Sequence, residues 1–286
     1  MKRYFLMLWF WLANKGSRRS VVNANSSVVV SLTSYDPRIT RVFATIESIA
    51  AGRLKPRRLL LWLDDSFKHK PIPESLRRLE KRGLEILFCS DDGPHKKYRP
   101  YVLSQAKHRV PLVTADDDVL YPHAWLDELV VSHLKDPEVI YCHRARVVQM
   151  KGAPSADQNW LSKEPSAYRG WPACKTVEPS LRHFSIGVSG VLYPPSFLNQ
   201  LNDVSANSLF KELTPKADDV WLNCWGSYWG YKKQQVAPFA AQFLQIPLSG
   251  RSALHRDNVV KGENDTQIQA MVTYLISLPG INRTTP

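Results

Sequence analysis

The sequence predicts an α/β fold in which a mostly parallel sheet carries helices on both faces. Five short apolar runs are typical of buried strands, and they lie at 28–32, 59–63, 84–89, 112–115 and 139–143. Segments with helical spacing of apolar residues separate most of these runs, and this alternation is typical of parallel sheets. The 286 residues are 44% hydrophobic and 22% charged, which excludes a disordered or fibrous chain.

The helices of the first half are predicted from their periodicity and their ends. Apolar residues recur at helical spacing over 39–51, and Gly52 ends this segment. A basic amphipathic segment over 73–82 ends at Gly83, and a third predicted helix, over 122–135, begins with proline. The first half therefore alternates strand and helix from 28 to 143.

The second half is less regular, and its elements are predicted from weaker patterns. We predict strands at 186–193 and 231–236, and helices at 218–229 and 266–276. No linker divides this part of the chain. The sequence therefore predicts a single domain over 28–286, preceded by an apolar and basic extension with a linker at 1–27.

The N-terminal segment suggests a membrane surface. A ten-residue apolar run at 4–13, rich in Trp and Phe, has cations on both sides. It is too short to span a bilayer, which takes about 20 residues. The run suits a segment that lies in the interface of an anionic membrane, and this predicts a cytoplasmic protein, peripheral on the inner face of the membrane. The alternatives are a helix packed on the protein's own body and a wrongly assigned start.

Charge and cysteine content narrow the classes of partner. The net charge is +12, and the first 110 residues hold 22 basic and 9 acidic side chains. Such an excess suits an anionic lipid, a phosphate-bearing ligand or a nucleic acid, or simply a solvated basic face. The four cysteines lie at least 32 residues apart, which predicts free thiols in a reducing compartment.

Acidic residues directly follow two predicted strands, at the sheet edge where α/β proteins bind ligands. Asp64 and Asp65 follow the second strand, and Asp116, Asp117 and Asp118 follow the fourth. Three adjacent carboxylates repel one another unless they are solvated or hold a cation. Apolar sequence on both sides favours the cation, and hard oxygen ligands suit Mg²⁺ or Mn²⁺. The alternative is a turn stabilised by aspartate caps.

Six segments, taken in order, resemble a known family. They are 30–39, 60–63, 114–122 with Trp125 and Leu126, 142–145, 187–195 and 217–222. Together they resemble bacterial glycosyltransferases of the GT-A fold, related to the family 2 enzymes, that carry a DxD motif and often act in surface polysaccharide or lipopolysaccharide assembly. The resemblance covers roughly residues 28–270.

The resemblance implies a role for each matched residue. It implies a nucleotide site at Thr33, Ser34, Tyr35 and Arg38, with Asp65, or else Asp64, at a uracil ring. Asp116 and Asp118 would hold the divalent ion, Asp117 would face the sugar, and His255 is either a third metal ligand or an ordinary loop histidine. Asp219, or else Asp218, would be the catalytic base. Lys96 and Lys97 would meet the leaving diphosphate, or they form a solvated surface pair.

The implied activity is the metal-dependent transfer of one sugar from a nucleotide sugar, UDP-linked, to a glycan or lipid-linked acceptor. A base that acts on the acceptor implies inversion. A nucleotidyltransferase is an alternative, but the loop at 33–37 lacks the glycine that such an enzyme needs. A polyanion-binding module is another, and it leaves the acids unexplained. We expect no nucleic acid partner. The sequence contains no Gln-x-x-Arg-Trp stretch of the kind that would indicate polymerisation.

Three further groups have two interpretations each. His143 and Arg144 either touch a ligand or pair with an internal acid. Trp221, Trp225 and Trp229 recur at spacing four, which is typical of core, although one of them could stack on a sugar. A basic cluster at Arg77, Arg78, Lys81 and Arg82 could hold the protein near anionic lipid-linked acceptors or phosphorylated core sugars.

Overall fold

A seven-stranded sheet forms the centre of the molecule, in a computed structural model that describes residues 1–152, 158–247 and 262–279. Its strands are β1 (Val29–Thr33), β2 (Arg58–Asp64), β3 (Leu84–Cys89), β4 (Leu112–Ala115), β6 (Ile140–Cys142), β9 (Val191–Tyr193) and β10 (Lys233–Gln235). They lie in the order β10-β6-β9-β4-β1-β2-β3. Only β9 among these strands runs antiparallel to its neighbours, so the predicted mostly parallel sheet is confirmed.

Two small antiparallel pairs lie outside the central sheet. β5 (Val119–Leu120) pairs with β11 (Leu244–Gln245), and β7 (Ala145–Val147) pairs with β8 (His183–Ser185). β7 directly follows β6 in the chain, whereas β8 precedes the turn that leads into β9.

Helices cover both faces of the sheet, as the sequence predicts. They are α1 (Lys2–Gly16), α2 (Val42–Ala50), α3 (Glu74–Glu80), α4 (Arg99–Leu103), α5 (Trp125–His133), α6 (Pro195–Ser205), α7 (Leu209–Leu213), α8 (Asp218–Tyr228) and α9 (Glu263–Ser277). One core contains residues of α2, α3 and α5, and the other contains residues of α4, α6, α8 and α9.

The continuous apolar strands explain why both faces are covered. Successive side chains of a strand point to opposite faces. In β2, Leu59, Leu61 and Leu63 enter one core, whereas Leu60 and Trp62 enter the other. Burial of each leucine side chain contributes roughly 1.5–3 kcal/mol to the free energy of folding. Exposure of either face of such a strand to water would therefore be unfavourable.

The strand predicted over 186–193 is wrong in its first half. Gly187–Ser189 form a 3-10 turn, and only Val191–Tyr193 extend as β9. Gly190 has a positive φ of 92°, and a Cβ there would lie 2.5 Å from the Trp125 indole nitrogen. The turn breaks the strand because the backbone passes directly beside this indole ring.

The N-terminal run forms α1, which packs on α2 and α3. Phe10 and Asn14 are buried, and the Asn14 amide donates to Glu47 Oε1 over 3.1 Å and to the Ser75 carbonyl over 3.0 Å. The packed helix, one of the two alternatives to the membrane interpretation, is thus observed. The opposite side of α1 stays exposed, and its large apolar residues are Tyr4, Phe5, Leu8, Trp9, Trp11 and Leu12. No helix within the described residues is long and apolar enough to cross a bilayer.

Candidate active site

A cavity of about 610 Å³ opens at the carboxyl edge of β1, β2 and β4. Thirteen residues singled out from the sequence line it: Thr33, Ser34, Tyr35, Arg38, Asp64, Lys96, Lys97, Asp116, Asp117, Asp118, Arg144, Asp218 and Asp219. They meet because the loops after parallel strands end at one edge of the sheet, where the first turn of α8 joins them. His255 lies outside the described residues.

One side of this cavity, here called the acid wall, consists of Asp116, Asp117, Asp118, Asp218 and Asp219 with the cations Arg38 and Lys97. Arg38 Nη1 lies 2.8 Å from Asp117 Oδ1, and its Nη2 lies 3.1 Å from Asp118 Oδ2. The Ser34 hydroxyl donates to Asp117 Oδ2 over 2.6 Å. Asp117 is thus turned toward the loop after β1 and serves to fix Arg38.

Lys97 bridges two parts of the acid wall. Its Nζ lies 2.9 Å from Asp116 Oδ1 and 2.8 Å from Asp218 Oδ2. Burial opposes the charged form, but the charges of Asp116 and Asp218 outweigh it and hold the pKa of Lys97 well above its usual value. Lys96 and Lys97 are both buried, so the solvated surface pair is the wrong alternative.

Asp219 is held by backbone rather than by a cation. The Gly187 amide donates to both of its carboxylate oxygens over 3.1 Å, and Asp219 forms no ion pair with any residue that the structure describes. A Cβ on Gly187 would lie 2.6 Å from Asp219 Oδ1, so this approach requires glycine. Burial, followed by the charge of Asp218, raises the pKa of Asp219 to about 7. A carboxylate with such a pKa can take a proton near neutral pH.

The acid wall fits a divalent cation. Its five carboxylates outnumber its two cations, and burial together with Asp116 raises the pKa of Asp118 to about 7. A bound metal ion would offset this excess, and the hard oxygens of Asp116 and Asp118 suit Mg²⁺ or Mn²⁺. In the parts of the chain that are described, no three His, Cys, Asp or Glu side chains are grouped to hold a metal. The two carboxylates would therefore share the ion with ligand oxygens.

The two acids after β2 are separated by the structure. Asp64 lines the cavity, and its Oδ2 lies 3.8 Å from Lys96 Nζ. Asp65 is half exposed, does not line the cavity and pairs with Lys68 over 2.9 Å. This placement favours Asp64 over Asp65, which reverses the order expected from the sequence, because β2 ends at Asp64 and Asp65 begins a 3-10 turn.

A buried histidine supports the loop that carries the two lysines. The His95 ring contacts the Tyr98 hydroxyl at 2.8 Å and the Thr214 carbonyl at 2.7 Å, and it packs against Phe210. Burial lowers the pKa of His95 to about 3, so the ring is neutral and satisfies both contacts as one donor and one acceptor. This arrangement ties the Lys96–Lys97 turn to the segment that precedes α8.

A second group of lining residues, here called the arginine wall, consists of Arg144, Arg146, Tyr168, Phe184 and Ile186. The sequence singled out Arg144 alone, although an arginine two residues further along an extended segment lies on the same side of the chain. His143 is buried against the Trp125 carbonyl at 2.9 Å. Trp221 and Trp225 are buried in the core, and neither lines the cavity.

No family model and no curated protein matches the sequence. Among solved structures, the mannosyltransferase PcManGT from Pyrobaculum calidifontis, in complex with GDP-Man and Mn²⁺, is 16% identical over 94% of this chain and 77% of its own, with a TM-score of 0.49. TarS of S. aureus is 13% identical over 76% and 59%, with a TM-score of 0.45. GalNAc-T7 with UDP, GalNAc and Mn²⁺ is 14% identical over 83% and 48%, also with a TM-score of 0.45. Such distant likenesses assign no function, so the assignment rests on the residues of the cavity.

Proposed function

We propose that the protein is a metal-dependent glycosyltransferase of the GT-A type, which moves one sugar from a nucleotide sugar to an acceptor hydroxyl. The observation that carries this proposal is the acid wall itself. Two carboxylates suited to a metal ion, Asp116 and Asp118, line the same cavity as a carboxylate suited to act as a base, Asp219. A transferase that expels a diphosphate needs both functions side by side.

The donor is placed by the loops at the carboxyl edge. The loop after β1, with Thr33, Ser34 and Tyr35, would contact the nucleotide, and Asp64 would meet the base of a UDP-linked donor. Asp116 and Asp118 would hold the metal ion, which would supply positive charge to the leaving diphosphate. Lys97 is fixed between two carboxylates and orders the wall rather than reaching freely for the phosphates.

The acceptor hydroxyl would lose its proton to Asp219 as its oxygen attacks the anomeric carbon. The bond from that carbon to the diphosphate breaks, and the nucleoside diphosphate leaves with the electron pair. Direct attack implies inversion at the anomeric carbon. Asp218 is engaged by Lys97, whereas Asp219 is held among the described residues by the Gly187 amide alone, and this favours Asp219 as the base.

Product analysis tests this assignment. The panel contains UDP-, GDP-, ADP- and CMP-sugars. We expect Mn²⁺-dependent release of a nucleoside diphosphate from one of the first three kinds of donor. Transfer from a CMP-sugar would be detected as release of the monophosphate. The Asp116→Asn variant should lose the release, and Asp127→Asn, on an exposed ion pair, should keep it. Release of pyrophosphate from a nucleoside triphosphate and a sugar would instead establish the nucleotidyltransferase.

We propose further that α1 holds the protein on the inner face of an anionic membrane, near a glycan or lipid-linked acceptor of surface polysaccharide or lipopolysaccharide assembly. The support for this location is the exposed apolar face of α1, which is flanked by the cations Lys2, Arg3 and Lys15. The basic cluster at 77–82 contributes less to a membrane-facing surface than the sequence suggests. Its member Arg82 is not available, because the side chain is buried and paired with Glu47. Lys81 remains exposed.

Vesicle sedimentation tests the membrane surface. Phosphatidylglycerol vesicles should sediment the protein and phosphatidylcholine vesicles much less, and the Phe5→Ser/Trp9→Ser double variant should stay in solution. The exposed Phe239→Ser is a matched control that should still sediment. A dimer in solution that the double variant dissociates, with no vesicle binding, would show that the face meets a second copy instead.

A further inference from the structure

The arginine wall is unlike the rest of the cavity in its charge pairing. Four other cations of the cavity each lie within 3.2 Å of a carboxylate, and these are Arg38, Lys96, Lys97 and Lys216. Arg144 and Arg146 form no ion pair with a carboxylate in any part of the chain that is described. Two cationic charges therefore face the cavity without a counter-charge from the described residues.

The two guanidinium groups share one side of the antiparallel β7–β8 pair. Arg146 pairs with Phe184 of β8, and the Arg144 carbonyl accepts from the Ile186 amide over 2.9 Å. All four residues line the cavity. Because the arginines are two residues apart in an extended segment, both side chains leave the backbone in the same direction.

Arg146 is already held in place. Its Nη1 donates to the Trp171 carbonyl over 2.6 Å, and its guanidinium carbon lies 5.0 Å from the centre of the Tyr168 ring. Arg144 is half-buried and forms no side-chain hydrogen bond within the described residues. A partly desolvated guanidinium without a partner is unfavourable, and an anionic ligand would offset that cost.

The position of the pair relative to Asp219 indicates which substrate would carry the anion. The backbone amide of Ile186 donates a hydrogen bond to the Arg144 carbonyl, and the amide of the next residue, Gly187, donates to Asp219. The pair therefore adjoins the base, whereas the residues suited to the nucleotide and its metal ion lie on the loops after β1 and β4. We propose that Arg144 and Arg146 bind a phosphate or carboxylate group of the acceptor, beside the hydroxyl that Asp219 activates. The assignment of the anion to an acceptor rests on the proposed function, whereas the anion site itself does not.

Binding of small probes tests the anion site without any turnover. Glucose 6-phosphate, glucuronate and neutral glucose are titrated in the presence of a chelator, so that no metal ion attracts anions to the acid wall. We expect at least one of the two anions to bind about tenfold or more tightly than glucose, since a charged hydrogen bond contributes about 1.5–3 kcal/mol. The phosphate and carboxylate arms show which group the site accepts.

The Arg144→Gln/Arg146→Gln double variant should lose the preference for the anion, and Arg53→Gln, on an exposed ion pair, should keep it. If the double variant does not fold, Arg144→Gln alone carries the test. Equal binding of glucose and both anions by the wild-type protein, or a preference that survives in the variants, would overturn the proposal. Nucleotide binding with Mn²⁺ is measured in parallel. An anion preference without nucleotide binding would retain the site and reject the glycosyltransferase.

Discussion

The two walls of the cavity balance their charges in opposite ways. In the acid wall, Arg38 and Lys97 are each shared between two carboxylates, and negative charge remains in excess. In the arginine wall, Arg144 and Arg146 have no carboxylate partner among the described residues. One wall of the cavity is therefore suited to a cation and the other to an anion. The comparison shows that the charge of a ligand can be inferred from the side-chain charges that ion pairs within the protein do not balance.

The largest expected effect is on the chemical step, and it separates the base from the rest of the acid wall. Asp219→Asn removes the proton acceptor but keeps the shape of the side chain. We expect sugar transfer to fall by roughly 10²–10⁴-fold, the contribution typical of a positioned acid or base. Nucleotide binding with Mn²⁺ should be unchanged, because Asp219 is not one of the proposed metal ligands. Steady-state rates and nucleotide titrations measure the two effects, and a variant with normal kcat would assign the base elsewhere.

The next largest effect concerns the stability of the acid wall. Lys97→Met leaves Asp116 and Asp218 without their shared cation in a buried position. We expect a loss of about 3–5 kcal/mol in the free energy of unfolding, as found when one partner of a buried ion pair is removed. Lys70→Met breaks an exposed pair with Asp36 and should cost less than about 1 kcal/mol. Urea unfolding compares the two, and equal losses would show that the wall is solvated.

The smallest effect is a pH dependence of the free energy of unfolding, which tests the buried His95 that holds the Lys96–Lys97 turn in place. His95 has a pKa of about 3 when folded, against an ordinary value of about 6.5, so the unfolded chain binds its proton more readily between these values. Stability therefore falls as the pH drops below about 6.5, and His95 accounts for about 2 kcal/mol of the loss by pH 5. Urea unfolding at pH 7 and pH 5 should show a smaller difference in His95→Gln than in the wild type. The exposed His69→Gln should behave as the wild type does, and a His95→Gln profile identical to the wild type would contradict the neutral buried ring.

Much of the fold could be predicted because apolar runs mark buried strands directly. β3 and β4 have the bounds expected from the sequence, and β1 and β2 differ from theirs by one residue at each end. The turn at Gly187 could not be predicted, because it depends on Trp125 and Asp219, which are distant in the chain. The burial of Arg82 could not be predicted either, because its partner Glu47 lies on α2, which is distant in the chain.

The acid wall could be predicted from the sequence and the arginine wall could not. Acids directly after strands must gather at one sheet edge, so local sequence locates them. Which of Asp64 and Asp65 faces the cavity depends on how β2 ends, and local sequence does not fix this. Arg146 reaches the cavity through the pairing of β7 with β8, two segments separated by more than thirty residues. The two-residue spacing from Arg144 identifies Arg146 only once that pairing shows that the segment is extended.

The central claim is that the acid wall binds a nucleotide through a metal ion, and thermal unfolding with UDP, GDP, CMP and ADP, each with and without Mn²⁺, tests it most directly. A ligand that binds only the folded protein raises the melting temperature by mass action. We predict that one nucleotide raises it only when Mn²⁺ is present, and that Asp118→Asn abolishes the increase. A protein that none of these nucleotides stabilises in the presence of Mn²⁺, or an Asp118→Asn variant that responds as the wild type does, would contradict the account.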